Sequence, residues 1–213
     1  MLTCVIMTVT GFFSGSVMYS YLIPKLLYKA DVRQKSDDGN PGSANAMGVV
    51  GVPIGVLCMF LDLMKAFIPV FIASALLGVT GVCIIFVMIA PVLGHAFSPF
   101  LGFHGGKAVA SSFGSLLGVI LISKAVFVLV IIMVIFRFII TIKPDSSSVI
   151  TSYIFSFFII LLLEPLLEVK IAVFLIGMVV CFKNYINPNR SKLSLKVGPL
   201  VFNHEEKFKF TRG

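Results

Sequence analysis

The sequence predicts an all-α polytopic membrane protein of about seven transmembrane helices, with its N-terminus outside and its C-terminus in the cytoplasm. Three observations carry this. The chain is 58% hydrophobic, with a mean hydropathy of +1.07, and only 12% of its residues are charged. Its apolar residues are also gathered into runs close to or longer than the ~17 residues a helix needs to cross a bilayer. An ordinary soluble domain is excluded by such a composition. About 124 of the 213 residues are apolar, which at ~20 per crossing is material for about six spans and little besides. The net charge of +8 then points to cytoplasmic loops and anionic headgroups or substrates rather than to nucleic acid.

The first run, residues 1 to 28, has no charge before Lys25. It lacks the basic start of a signal peptide, and it is read as a retained span. A polar stretch follows, DVRQKSDDGNPGSANA over residues 31 to 46. Glycines let backbone N–H groups converge on an anion, and Pro41 suits the first turn of the next helix, whose N-terminus favours negative charge. The same Gly, Asn, Pro and Asp residues also suit a plain reverse turn between two spans. The second span, 48 to 77, contains Asp62 and Lys65. Three residues apart, they share a helix face, where each neutralises the other; a charge left in hydrocarbon costs about 2.5–3.5 kcal/mol. They are either a site-facing pair or a structural one.

The third run, 79 to 100, ends at a second polar stretch, GHAFSPFLGFHGGKAVAS over residues 94 to 111. Gly105-Gly106-Lys107 opens a small-residue helix, a fit for a phosphate cradle with close backbone donors and a lysine point charge. The glycine spacing and preceding strand of a P-loop are absent. Phe97, Phe100 and Phe103 recur every third residue, as a packing stripe or interfacial anchor would. His95 suits either a general base or a hydrogen-bonded structural role.

The 35 residues from 108 to 142 are too many for one straight span, and Ser123-Lys124 is the natural turn between two short ones. Runs at 148 to 166 and 169 to 184 complete the single helical membrane domain, residues 1 to 186, and a basic cytoplasmic tail over 187 to 213 is expected on the membrane surface. With the N-terminus outside, all but three of the 17 Lys and Arg residues fall in inside loops and the tail. Both polar loops then share the cytoplasmic face. Four separated cysteines without a C-x-x-C spacing read as structural thiols, and three scattered histidines leave no metal motif.

Taken together and in this order, the two loops resemble the bacterial acyl-phosphate:glycerol-3-phosphate acyltransferase family, often called PlsY. Asp31-Val32-Arg33, Gly39-Asn40 and Gly42-Ser43-Ala44-Asn45 take the places of its first motif, and Asp62 with Lys65 those of its Asp-x-x-Lys pair. His95, the three Phe, Gly105-Gly106-Lys107, Ala110 and Ser111 align with its second motif without a gap. The resemblance covers roughly residues 10 to 120. It implies a seven-span enzyme of the bacterial inner membrane that moves a fatty acyl group from acyl-phosphate to glycerol 3-phosphate, making lysophosphatidic acid for phospholipid synthesis. Its partners would be those two substrates and membrane lipid, with no nucleic acid, metal or nucleotide cofactor. By the same resemblance His95, Lys107 and Asn184 are the catalytic candidates, with the ion pair Asp62–Lys65 in support. Arg33, Ser36, Gly39, Asn40, Asn45, Gly105, Gly106 and Ser111 would bind phosphate.

The chain departs from the family pattern in several places. One extra residue lies between Arg33 and Gly39, so that Ser36, Asp37 and Asp38 fill a segment where the family has a serine. Carboxylates beside a phosphate site are expected to repel phosphate unless they turn away or pair with Lys35 or Arg33. Ala44 replaces a threonine, His104 a basic residue and Ala108 a glycine. Of the third motif, Cys181-Phe182-Lys183-Asn184-Tyr185 keeps only the Asn, so that wall of the site is either degraded or built by Lys183 and Arg190 instead. These changes keep open an acyltransferase with a different acceptor and an inactive paralogue. A small anion transporter lined by Asp62, Lys65, His95 and Glu164 is a further alternative. The clustering of polar residues at one face and the lack of an inverted repeat weigh against the transporter.

Overall fold

The computed structural model describes residues 1–186, 194–197, 200–203 and 206–210. Ten α-helices occupy most of that range, in the order α1 (Leu2–Ser16), α2 (Tyr19–Tyr28), α3 (Val32–Lys35), α4 (Ser43–Val50), α5 (Val52–Phe71), α6 (Val82–Ala96), α7 (Val109–Gly118), α8 (Ala125–Val134), α9 (Asp145–Leu163) and α10 (Leu167–Ile186). Helices α5 and α8 each continue into a π-helical turn, Ile72–Leu76 and Ile135–Ile139.

Among the described residues, four helical segments are long and apolar enough to cross a membrane: Val52–Leu76, Val82–Leu101, Asp145–Leu163 and Leu167–Ile186. The pair α1 and α2, bent by 41°, makes a fifth if it is one span. Two shorter apolar helices, Val109–Gly118 and Ala125–Ile139, occupy the long fourth run. The chain turns between them at Ser123-Lys124, where the split was expected. Buried Glu164 fastens that turn, because the Ser123 hydroxyl donates to its Oε2 at 2.5 Å and the Leu166 amide to its Oε1 at 3.2 Å.

Helix α6 is the centre of the bundle, since 10 of its 15 residues are buried, against 7 of 20 in α5, 6 of 19 in α9 and 7 of 20 in α10. Helices α1, α7 and α10 pack around it, and α5 packs on α7 and α1. The approach of α1 to α6 depends on glycine, because a Cβ on Gly15 would overlap the Pro91 backbone and one on Gly94 the Phe12 carbonyl oxygen. Outward faces are apolar, with Phe60 55%, Phe138 78% and Leu162 83% exposed. Water would not retain so much large apolar surface; lipid would.

The break between α1 and α2 has an unusual cause. No proline stands at Val17-Met18, and the Gly15-Ser16 step just before it weakens the helix without fixing the chain beyond. Instead α5 brings Asp62 and Lys65, 2.7 Å apart and buried, to the gap. Lys65 Nζ donates to the Val17 carbonyl at the C-terminal end of α1. Asp62 accepts the Tyr19 amide at 3.3 Å and the Ser20 hydroxyl at the N-terminus of α2. Each charge therefore meets the helix end of opposite sign, and together they satisfy backbone groups that hydrocarbon would leave orphaned.

Residues 140 to 143, at the end of a run read as helix, are instead strand β1 (Ile140–Lys143). β1 pairs antiparallel with β2 (Ser194–Val197), Ile140 opposite Val197 and Lys143 opposite Ser194, and β3 (Leu200–Asn203) and β4 (Glu206–Phe210) extend the sheet in sequence order. The β-branched run Ile-Thr-Ile favours extended backbone once a partner strand is present. Several cations on which the basic tail was read, Arg190 and Lys192 among them, lie outside the described residues.

Candidate active site

The two polar loops meet at one end of the bundle. The first leaves α2 through Asp31, which caps the short helix α3 by accepting the Arg33 amide at 3.0 Å. Tyr21 donates its hydroxyl to Asp31 at 3.2 Å and accepts from Lys25 Nζ at 2.5 Å. The Arg33 guanidinium lies 5.0 Å from the Tyr21 ring centroid, a cation–π placement that holds it without quenching its charge. Tyr21, Lys25 and Arg33 form the polar part of a cleft of about 620 Å³ whose apolar wall includes Met18, Leu22 and Phe100. One cationic end and one apolar wall suit an amphipathic ligand with an anionic head.

Beyond α3 the loop folds inward at Asp38 while Asp37 stays exposed. Asp37 thus turns away, one of the two arrangements that would spare a phosphate site, and among the described residues Asp38 forms no ion pair with Lys35 or Arg33. Asp38 reaches across to the second loop instead and accepts from Lys107 Nζ at 2.8 Å. Gly39 makes the turn possible with a φ of +63°, a conformation that costs glycine little. Asp38 Oδ1 also accepts the Asn45 side-chain amide at 2.7 Å and the Asn40 backbone amide at 3.1 Å. Burial pushes the Asp38 carboxyl up, but the hydrogen bonds from Lys107, Asn45 and Asn40 outweigh it and hold the group below the ordinary carboxylate value. It is an anion at neutral pH, held by donors from both loops. Lys107 also donates to Ser146 at the start of α9, at 3.1 Å.

The second loop is pinned to the bundle at both ends. The Ser98 hydroxyl donates to the Ser16 carbonyl at 2.7 Å, and the Gly106 amide donates to the His95 carbonyl at 3.0 Å. This bond narrows the expected role of Gly106, since its amide is engaged with α6 rather than turned to a phosphate. The Gly-Gly pair serves close packing. A Cβ on Gly105 would overlap the His95 carbonyl oxygen and stand 2.8 Å from that of Ala96, and one on Gly106 would overlap the His95 ring. Gly105→Ala should therefore cost about 1–3 kcal/mol of stability by lifting the segment off α6 and lower turnover by displacing Lys107. Thermal midpoint and kcat read together would test this, and an Ala variant unchanged in both would remove the packing role.

Other expected site residues separate into those the fold gathers and those it turns away. Arg33, Asn40, Asn45 and Lys107 come to the two loops' meeting place. Ser111, expected to bind phosphate, is buried and donates at 3.2 Å to the Asp62 carbonyl on α5, because α7 turns its hydroxyl inward. Asn184 donates to the Val180 carbonyl one turn back at 2.9 Å and is also buried. His95 is buried beneath Gly105-Gly106 rather than open to the cleft. Three buried polar atoms near the loops, Ser36 Oγ, Asn40 Oδ1 and His95 Nδ1, find no hydrogen-bond partner among the described residues.

The phenylalanine stripe is not one surface. Phe97 lies 6.5 Å from Phe182 and beneath the buried Lys183 ammonium at 5.3 Å, whereas Phe100 and Phe103 are more than 60% exposed. The turn Pro99–Leu101 rotates them apart. Ser146, Tyr21 and Lys25 were missed in the sequence. Tyr21 and Lys25 carry a faint signal in their i, i+4 spacing, but Ser146 carries none, for it depends on where α9 begins.

A family model described as glycerol-3-phosphate acyltransferase matches residues 5–192. A glycerol-3-phosphate acyltransferase of Thermotoga petrophila is 46% identical over 106 residues, 50% of this chain and 53% of that protein. One of Staphylococcus saprophyticus is 40% identical over 134 residues, 58% of this chain and 66% of that protein. In the first of these, as in its Thermotoga maritima counterpart, the match spans about half the relative's length. The crystal structure of PlsY, an integral membrane glycerol 3-phosphate acyltransferase, in its glycerol 3-phosphate form superposes with a TM-score of 0.77 at 29% identity, covering 88% of this chain and 90% of that one. Its lysophosphatidic acid form gives a TM-score of 0.74.

Proposed function

Because the chain belongs to the glycerol-3-phosphate acyltransferase family, we propose that it transfers a fatty acyl group from acyl-phosphate to the hydroxyl of glycerol 3-phosphate, releasing phosphate and lysophosphatidic acid. The observation that carries the proposal is the convergence of Lys107, Asn45 and the Asn40 amide on a single anionic group, 2.7 to 3.1 Å away. Both substrates and both products carry phosphate. A site already built to hold one buried anion is chemically suited to them.

The roles follow from placement. Lys107 and Asn45 bind a phosphate between the loops, and Arg33 and Lys25 attract the second phosphate at the mouth of the cleft. The apolar wall of Met18, Leu22 and Phe100 receives the start of the acyl chain. Acyl-phosphate is already activated, so no covalent intermediate on the protein is needed. The hydroxyl of glycerol 3-phosphate attacks the acyl carbonyl, the carbonyl–phosphate bond breaks, and the leaving phosphate takes the electron pair and, with it, the hydroxyl proton. Positioning and charge neutralisation then supply the rate. His95 acts as support for the Gly105-Gly106 segment, a role its covered ring suits better than proton transfer. The enzyme sits in the bacterial inner membrane, crossing it about seven times, with its N-terminus outside and this site facing the cytoplasm, where both loops lie by the distribution of Lys and Arg.

The test is product identity. The purified protein, reconstituted in lipid, is given palmitoyl-phosphate and labelled glycerol 3-phosphate, with palmitoyl-CoA in a parallel tube. Labelled lysophosphatidic acid from the acyl-phosphate tube alone is the expected result. Product from the CoA tube alone would reject the donor, and no product in either would reject the reaction.

A further inference from the structure

The anion held by the two loops belongs to the protein itself. Asp38 offers two oxygens at the spacing of two phosphate oxygens, and donors from three places are aimed at them: Lys107 Nζ at Oδ2, and Asn45 Nδ2 and the Asn40 amide at Oδ1. The Asp38 side chain is only 4% exposed and that of Lys107 12%, so water does little to screen their attraction. A phosphate cannot reach these donors while Asp38 is in place. The carboxylate is nonetheless removable, because it hangs from a loop between exposed Asp37 and Gly39, whose φ of +63° marks a turn at the adjoining residue.

From this we infer that Asp38 is a built-in placeholder for substrate phosphate, one that the incoming phosphate must displace from Lys107, Asn45 and Asn40. This rests on the phosphate-site reading above and deepens it. A ligand that binds only the displaced state has its apparent affinity lowered by the fraction of protein in that state. Asp38 thus sets a threshold on substrate phosphate and keeps Lys107 neutralised when none is bound. The device is local electrostatics. It needs no movement of the bundle helices.

Asp38→Asn tests it, since the amide oxygen can still accept from Asn40 and Asn45 while the charge opposite Lys107 is gone. Binding of inorganic phosphate to the full-length protein in lipid bicelles is measured by calorimetry. The variant should bind about tenfold more tightly than the wild type, and adding Lys107→Met should abolish the gain. Equal or weaker binding overturns the inference. Asp38→Ser provides a second variant, and failure of both to fold would make the carboxylate a strut and likewise overturn it. Steady-state assays separate the two phosphate sources. The substrate whose KM falls in Asp38→Asn, glycerol 3-phosphate or palmitoyl-phosphate, is the one whose phosphate replaces the carboxylate, and a fall in neither counts against the placeholder. Tighter phosphate binding without any lysophosphatidic acid from wild type or variant would keep the placeholder and reject the acyl-transfer reading. Transfer with unchanged phosphate affinity would do the reverse.

Discussion

Lys107→Met should lower kcat/KM for acyl transfer by about 10²–10³, the loss typical of removing one preorganised charge donor from a reacting centre, while the protein stays folded in the membrane. Methionine keeps the length and most of the apolar stem of lysine, so α7 and the Gly105-Gly106 segment have no steric reason to shift. What disappears is the cation that faces Asp38 at 2.8 Å and Ser146 at 3.1 Å. Folding itself should suffer modestly, because Asp38 keeps its bonds from Asn40 and Asn45. The double variant with Asp38→Asn separates the two effects. It should restore the thermal midpoint, since no unpaired carboxylate remains, without restoring the rate. Near-normal turnover in Lys107→Met would remove the lysine from the mechanism altogether.

The largest loss of stability is expected at Asp62 and Lys65. Replacing either alone, as Asp62→Asn or Lys65→Met, should cost about 3–5 kcal/mol, because a buried charge is left without its partner. Both side chains are at most 2% exposed. Lys65 would remain against the Val17 carbonyl and Asp62 against Tyr19 and Ser20, so neither loses every contact. Changing both together should cost less than the sum of the single changes, which is the signature of residues acting as a unit. Unfolding midpoints of the four proteins in detergent form the cycle. Additive losses would mean that the pair does not couple and that α1 and α2 are held apart by something else. Activity adds an independent reading, since the α1–α2 break sets where Tyr21, Lys25 and the loop to Arg33 leave the bundle.

Much of this protein was legible as sequence. Apolar runs found the long helices, because hydrocarbon imposes a length and an apolar composition that no tertiary contact can waive. Ser123-Lys124 marked the turn in the 35-residue run, and Asp62 and Lys65 were paired by their spacing alone. The Gly105-Gly106-Lys107 segment stands out in the sequence, although the reason for its glycines is only half visible there. Composition shows that small residues are there, but not that α6 lies against them.

Other features depended on parts of the chain brought together only by folding. Asp38 is 69 residues from Lys107, and no local pattern tells a carboxylate which of several cations it will meet. Ser111, Asn184 and His95 carried the right chemistry in the right order, yet helix rotation turned all three inward. Strand β1 was hidden inside an apolar run because the segment that makes it a strand lies more than 50 residues away, Ile140 pairing with Val197. The sequence by itself thus determined the membrane class, the family and the two polar loops that build the candidate site, since each rests on composition or on short motifs. Tertiary structure alone decided which of those residues face one another, because hydrogen bonds and ion pairs act over a few ångströms and are set by distance in space, not along the chain.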